Sequence, residues 1–415
     1  MHNTRVVIRS LFLRTLLCTL SATALTACGE LLTEAPSANE VFDAMVEGLS
    51  PAQRRAHLAG DEAFAETFSQ QTGLGPVFNQ TSCEGCHPGE GRGHPSTNLR
   101  RFGMLSANGF DYLLERGGPQ LQDHAIPGYP AEQLPAEATA ISERGGPLVV
   151  GLGYLEAIPD GTLLDHEDPN DADGDGISGR ANFVPAPSYL QLAPDKISRN
   201  GKYLGRFGRK ATAISLLQQT AGAYLNDIGV TSELEPVEVF NPALGNRVGD
   251  SVADPEIPAE TVNHVVFYLQ TLRAPQRRDE QIPAVRRGED LFKQIGCAGC
   301  HIPEMQTGTS GIAPLAYQKA RLYSDLLLHD MGPELADQYP EGDASGTEWR
   351  TTPLWGLGIV GNLLGGTAFY MHDGRTSDLR EAIRLHGGEA DDPRSQYFNL
   401  PADDQAALLA FLRSL

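Results

Sequence analysis

Two pentads govern what this chain can become: Cys83-Glu84-Gly85-Cys86-His87 and Cys297-Ala298-Gly299-Cys300-His301. A C-x-x-C-H run is the attachment signature of c-type haem. Two thiols at that spacing add across the two vinyl groups of one porphyrin, and the histidine that follows reaches the iron as proximal ligand. Zinc would need four Cys or His ligands brought together. A thioredoxin-like redox pair gives no reason for a histidine directly after the second cysteine, twice. The expectation is two covalent c-type haems, one on Cys83, Cys86 and His87, the other on Cys297, Cys300 and His301, with His87 and His301 on iron.

Each pentad sits in a repeated frame. Gly60-Asp61-Glu62-Ala63-Phe64 precedes the first and Gly288-Glu289-Asp290-Leu291-Phe292 the second. Residues 258–272 (PAETVNHVVFYLQTL) and 401–415 (PADDQAALLAFLRSL) close the two halves. A proline at the first turn followed by acids is a helix start signal. Val262, Val265, Val266 and Leu269 form an apolar stripe on the first closing helix, and Leu408, Leu409, Phe411, Leu412 and Leu415 form one on the second. The expected fold class is mostly α: two cytochrome c-like haem domains in tandem with long irregular loops. Residues 46–272 would be the first domain, 273–284 (RAPQRRDEQIPA) a polar, proline-containing linker, and 285–415 the second. From Cys83 to Pro258 is 175 residues, but from Cys297 to Pro401 only 104, so the first domain carries a large insertion. Most of it is expected between Gly109 and Asn200, which is rich in Gly, Pro and acids and poor in periodic pattern.

The N-terminus speaks to location. Arg5, Arg9 and Arg14 flank or interrupt an apolar run, Leu11 to Leu25, too short and too Arg-broken to span a bilayer. It reads as a secretory signal. Leu25-Thr26-Ala27-Cys28 looks like the bacterial lipobox, so residues 1–27 are expected to be a lipoprotein signal with Cys28 acylated. A plain signal peptide cut near Ala27 is the alternative. Residues 28–45 would form a flexible tether, leaving a periplasmic body lipid-anchored to the membrane at the cell envelope. Export agrees with haem attachment outside the bacterial cytoplasm. A net charge of -21 and the lack of any basic run argue against nucleic acid as a partner. Six cysteines in 415 residues are too sparse for a disulfide scaffold.

Further motifs narrow the family. They are Phe78-Asn79-x-x-Ser82 before the first pentad and Gly91-Arg92-Gly93 after it, Asp171-Ala172-Asp173-Gly174-Asp175-Gly176-Ile177-Ser178-Gly179-Arg180, and Leu328-His329-Asp330-Met331-Gly332. Trp349-Arg350-Thr351-x-Pro353-Leu354-Trp355-Gly356 and His372-Asp373-Gly374-Arg375 complete the set. On these the chain resembles the bacterial di-haem oxidoreductase family, relatives of the di-haem cytochrome c peroxidases. The resemblance covers nearly all of the chain after Cys28.

What the resemblance implies is a peroxidase-like oxidoreductase. Electrons from a small redox protein or other donor would enter at the second haem, and hydrogen peroxide or a similar oxidant would be reduced at the first. In the relatives a helix after H-D-G carries the second axial ligand of the electron-transfer haem, commonly Met, and the matching position here is His386. Met331, His329 and Met371 compete for that role, and an ordinary polar helix residue is the alternative reading of His386. For the first haem the relatives use a Gln and a Glu after a G-R segment. Gln219 matches the Gln. Val230 stands where the Glu is expected, so Asp227 is the nearest acid and Glu156, among apolar neighbours that raise a carboxyl pKa, a further candidate. His94 is a candidate cap for the first iron. The competing function is an exported di-haem electron-transfer protein serving a partner enzyme or metal-uptake system, and oxidation of a protein or organic substrate is a third.

Asp171, Asp173 and Asp175, followed by Gly176, alternate as carboxylates do in calcium loops, although Ile177 and Asn182 depart from the EF-hand pattern. Ca2+ at these three is the expectation, a solvated acidic turn the alternative. Trp349 and Trp355 are the only tryptophans; they suit core or haem-edge packing, or a hole-hopping role between haems.

Overall fold

Two helix pairs frame the molecule, and each is built on a glycine. The computed structural model describes residues 41–107, 109–244 and 249–415; the signal, Cys28 and most of the tether lie outside the described residues. Ser50 caps the Pro51–Ala65 helix through a reciprocal box with Gln53. That helix crosses the Ala259–Thr271 helix at Gly60, where a Cβ would lie 2.1 Å from His264 O and 2.6 Å from Tyr268 Cβ. The Pro283–Gln294 helix crosses the Ala402–Ser414 helix at Gly288, where a Cβ would lie 2.1 Å from Ala407 O and 2.6 Å from Phe411 Cβ. Only a residue without a side chain lets two backbones approach so closely.

The two crossings are one device used twice. Phe64 and Phe292 come four residues after their glycines, hence on the same helix face. Each ring centroid lies 6.3 Å from that of its own pentad histidine. Tyr268 and Phe411 answer them from the facing helices, at 5.6 Å and 5.2 Å. The stripes of the closing helices are buried as their spacing requires, Val262, Val265, Val266 and Leu269 in one half and Leu408, Phe411, Leu412 and Leu415 in the other.

The mostly-α expectation needs correction, because the protein is mixed, with 31% helix, 14% strand and small sheets. The strands lie largely in the insertion. Leu99–Ser106 pairs antiparallel with Gly109–Asp111, Gln120–Leu121 and Ala140–Arg144. Adjacent Arg100 and Arg101 break the alternation that marks a half-buried strand. Both cations are accommodated by ion pairs: Arg100 with Glu143 on the neighbouring strand at 2.9 Å, Arg101 with Glu341 at 2.6 Å.

The insertion and the second half also share their interior. Leu328–Asp330 pairs with Glu348–Arg350, and Arg180 bridges to Leu328. The largest apolar cluster takes in Phe64, Leu155 and Val265 together with Met305, Leu322, Leu327 and Trp355 from beyond the linker. A second cluster, Val285 to Leu415, surrounds the Gly288 crossing. Among the described residues no helix is long and apolar enough to cross a membrane.

Candidate functional site

In each pentad the histidine N–H donates to the carbonyl of the first cysteine, at 2.9 Å for His87 and 3.0 Å for His301. That helical turn places both thiols and the ring on one face, since residues three and four apart are neighbours. Each ring is then oriented by a carbonyl. His87 Nδ1 donates to Pro147 O and His301 Nδ1 to Tyr323 O, both at 2.9 Å. A proton committed to Nδ1 leaves the Nε2 lone pair for a metal. Burial pushes both pKas down to about 4, so the rings are neutral, as ligands must be.

The four cysteines are free thiols. Burial pushes Cys83, Cys86 and Cys297 up to about 12, and the nearby Asp227 carboxylate adds to this at Cys83 and Cys86. A redox-active C-x-x-C or a thiolate metal site works by lowering a thiol pKa. These pairs are therefore poorly suited to dithiol chemistry and remain available for thioether attachment.

His386 ends the Leu379–Leu385 helix. Its Nδ1 donates to Ala382 O at 2.7 Å, again leaving Nε2 free, and its ring centroid lies 6.5 Å from that of His301. Two imidazoles bound to one metal from opposite sides, at about 2 Å per bond, have centroids roughly 6.4 Å apart. The competing ligands are engaged elsewhere. His329 has Nε2 2.8 Å from Asp325 and Nδ1 2.8 Å from Glu389. Against the cost of burial, these carboxylates hold its pKa well above the usual value, which favours the protonated ring over a metal-binding one. Met331 and Met371 pack against Leu335, Trp349 and Leu385.

Near the first pentad the Leu216–Ala223 helix runs into a π turn, Tyr224–Ile228. Such turns are frequent at functional sites because they re-aim side chains. This one carries Asp227. Its main-chain carbonyl accepts Asn79 N at 2.8 Å and Gln80 N at 3.0 Å, which ties the turn to the stretch before Cys83. Its carboxylate accepts Gln120 Nε2 at 2.7 Å. Burial pushes Asp227 up to about 6, against the pull of Gln120 and Arg101.

A cavity of about 700 Å3 connects both pentads, and Asp227, Gln219 and His386 line it. Glu156 is placed differently. Its Oε1 accepts Leu216 N at 2.8 Å and its Oε2 accepts Gln270 Nε2 at 2.6 Å, so it fixes the first turn of the helix that carries Gln219. His94 is exposed and caps the Pro95–Thr97 turn through Ser96 N at 3.1 Å.

The acidic loop gathers Asp168, Asp171 and Asp173, whose oxygens lie within 4.8 Å of one another. Asp175 instead caps its own turn through Ile177 N at 2.8 Å. The loop then docks on the second pentad: Ile177 fills the space beside Gly299, and Ser178 donates to Glu389 from N and Oγ at 3.0 and 2.7 Å.

The sequence named Trp349 and His372 but not their contact. Trp349 stacks on His372 with centroids 3.7 Å apart and planes 12° apart, under Lys210 Nζ at 4.6 Å. A cation over the ring opposes loss of an electron from it, which favours packing over hole transfer for Trp349. Of the buried arginines of the cavity, Arg92 and Arg350 were legible as members of family motifs, and Arg144 and Arg209 were not.

The family profile described as "Di-haem oxidoreductase, putative peroxidase" matches residues 131–415, a span that holds the second pentad while the first lies upstream. No curated protein matches the chain at a significant level. Among solved structures, a MauG-like protein associated with microbial copper homeostasis is 17% identical, with 92% of this chain and 94% of that one covered and a TM-score of 0.37. The Kuenenia stuttgartiensis hydrazine synthase is 14% identical, with 92% and 98% covered and a TM-score of 0.37.

Proposed function

The chain belongs to the di-haem oxidoreductase family, and on that premise we propose that its pentads attach two c-type haems and that it reduces peroxide, or a similar oxidant, with electrons supplied by a small redox protein. The observation that carries this reading is the inequality of the two pentad histidines. Each has a phenylalanine ring 6.3 Å away, but His301 also faces a second imidazole, His386, at 6.5 Å, whereas the acid of the shared cavity, Asp227, sits by the first pentad, close enough to act on Cys83 and Cys86. The second centre is thus furnished as a closed electron carrier and the first as the reactive one.

The residues fit the cofactor: four protonated thiols, two carbonyl-oriented imidazoles with free Nε2, and a connecting cavity. When bound, haem supplies one-electron chemistry at iron. The chain supplies the rest. His386 would hold the metal of the second centre together with His301. Asp227, with a pKa near 6, would accept a proton from the oxidant and return it as a leaving oxygen departs; a base poised close to the operating pH does this best. Gln120 fixes the orientation of that carboxyl, and Gln219 offers an amide to the same cavity. Glu156 acts only by positioning the Gln219 helix. Of the Ca2+ candidates, Asp171 and Asp173 would act with Asp168 rather than with Asp175. Acylation of Cys28 would keep the protein in the cell envelope.

The test is single-turnover mixing of the half-reduced protein with hydrogen peroxide. Loss of a general base typically slows a step about 10²–10⁴-fold, so Asp227→Asn should slow haem oxidation on that scale and Gln219→Ala by less. An intact protein with no peroxide-dependent spectral change in any redox state refutes the reading and leaves the electron-transfer alternative in its place.

A further inference from the structure

Among the described residues, four buried arginines line the cavity that joins the pentads: Arg92, Arg144, Arg209 and Arg350. Arg144 is paired, with Glu341 at 2.5 Å. Among the described residues the other three bond only to neutral main-chain carbonyls: Arg92 to Met371 O, Arg209 to Gly145 O at 2.6 Å, and Arg350 to Gly208 O at 2.9 Å and Thr351 O at 3.1 Å. The carboxylates nearest to them are already committed. Asp373 is bound by Arg375 at 2.8 Å, Asp325 by His329 at 2.8 Å, and Glu341 by Arg101 and Arg144.

An isolated buried charge is costly, and several of one sign facing each other cost more. The strain registers at Arg209: burial, then Arg92, Arg350 and Arg144, hold its pKa well below the ordinary value. Among the described residues, Arg92 Nε is buried without a hydrogen-bond partner. A chain that keeps three such guanidinium groups around one cavity is prepared for anions that arrive there.

The cations also come from both halves. Arg350 N donates to Arg209 O at 3.0 Å, so the two meet at one point of main chain. Arg209 holds Gly145 O, two residues before the carbonyl that orients His87. Arg350 pairs in register with Leu328, next to His329, whose Nδ1 lies 3.5 Å from Cys300 Sγ.

Resting on the di-haem reading above, we infer that Arg92, Arg209 and Arg350 form a shared seat for the propionate carboxylates of both haems. Attachment consumes the vinyl groups and leaves two propionates per porphyrin, so the ligand class is an alkyl carboxylate, which a planar guanidinium can bind in bidentate fashion. No bond is made or broken. The seat neutralises the cluster and draws the two cofactors' acidic edges toward one point.

The test compares the purified holoprotein with Arg209→Met, Arg350→Met and the matching Lys variants, by haem content per chain and by redox titration. A parent with two haems per chain is the premise. A parent with fewer overturns the di-haem reading and this inference with it. Removing a cation beside a haem favours the ferric form, so each Met variant should keep two haems and show a lowered midpoint for at least one, restored toward the parent by Lys. Midpoints unchanged in both Met variants overturn the inference. If a Met variant accumulates without haem, recovery of loading by Lys supports it, and equal loss with Lys overturns it. Acetate titrated into the parent separates the two sources of carboxylate. No spectral response fits propionates already in place, and a saturable response assigns the seat to a free carboxylate and overturns the inference.

Discussion

Replacing Glu90 by Gln should remove a defined part of the pH dependence of stability. Glu90 is 3% exposed, three residues after His87, and its Oε1 accepts the Tyr268 hydroxyl at 2.7 Å at the Gly60 helix crossing. Burial pushes its pKa from the ordinary 4.5 up to about 7; Tyr268 opposes this and Asp43, Asp61 and Glu84 reinforce it. For an acid whose folded pKa is raised, the native state keeps its proton where the unfolded chain has lost it. Stability therefore falls as pH rises from the unfolded pKa through the folded one and is level above it. With these two pKas, the parent should lose about 2–3 kcal/mol from this group between pH 5 and pH 8. Gln has no proton to lose and can still accept from Tyr268. Urea unfolding of parent and Glu90→Gln, followed by far-ultraviolet circular dichroism at both pH values, isolates the difference. Parallel losses in the two proteins would refute the reasoning.

Three further outcomes follow from the geometry. Gly288→Ala, and likewise Gly60→Ala, places a methyl group 2.1 Å from a facing carbonyl, so overpacking should cost about 1–3 kcal/mol; Gly161→Ala, with nothing within 4 Å, should leave the thermal midpoint unchanged or slightly higher. His386→Met should raise the midpoint of the second haem, because thioether ligation favours reduced iron; an unchanged midpoint with an intact low-spin spectrum would show that His386 is no ligand. Cys83→Ala with Cys86→Ala should leave the first half open to limited proteolysis, and a compact, protected protein would count against haem as the centre of that core.

The local half of this molecule could be read from the chain. Gly60 and Gly288, their phenylalanines and the closing stripes repeat because each half solves one packing problem within a short stretch. Asp227 could be singled out, being the nearest acid, but the π turn that aims it could not, since its hydrogen bonds go to Asn79 and Gln80, far back in the sequence. The Leu99–Ser106 strand stayed hidden because Arg100 and Arg101 are neutralised by residues supplied from elsewhere. Glu156 looked like an acid among apolar neighbours; its role depends on which backbone N–H groups it meets. His386 was preferred as a ligand only by its position after the H-D-G motif, and it is Asp325 and Glu389 on both nitrogens of His329 that remove that competitor.

The most direct test of the central claim is an electron paramagnetic resonance spectrum of the fully oxidised protein. The account predicts two ferric signals per chain, one low-spin from the centre held between His301 and His386 and one with a high-spin component from the centre on His87. Two low-spin signals with no high-spin component would contradict it and make the protein a carrier with both irons closed.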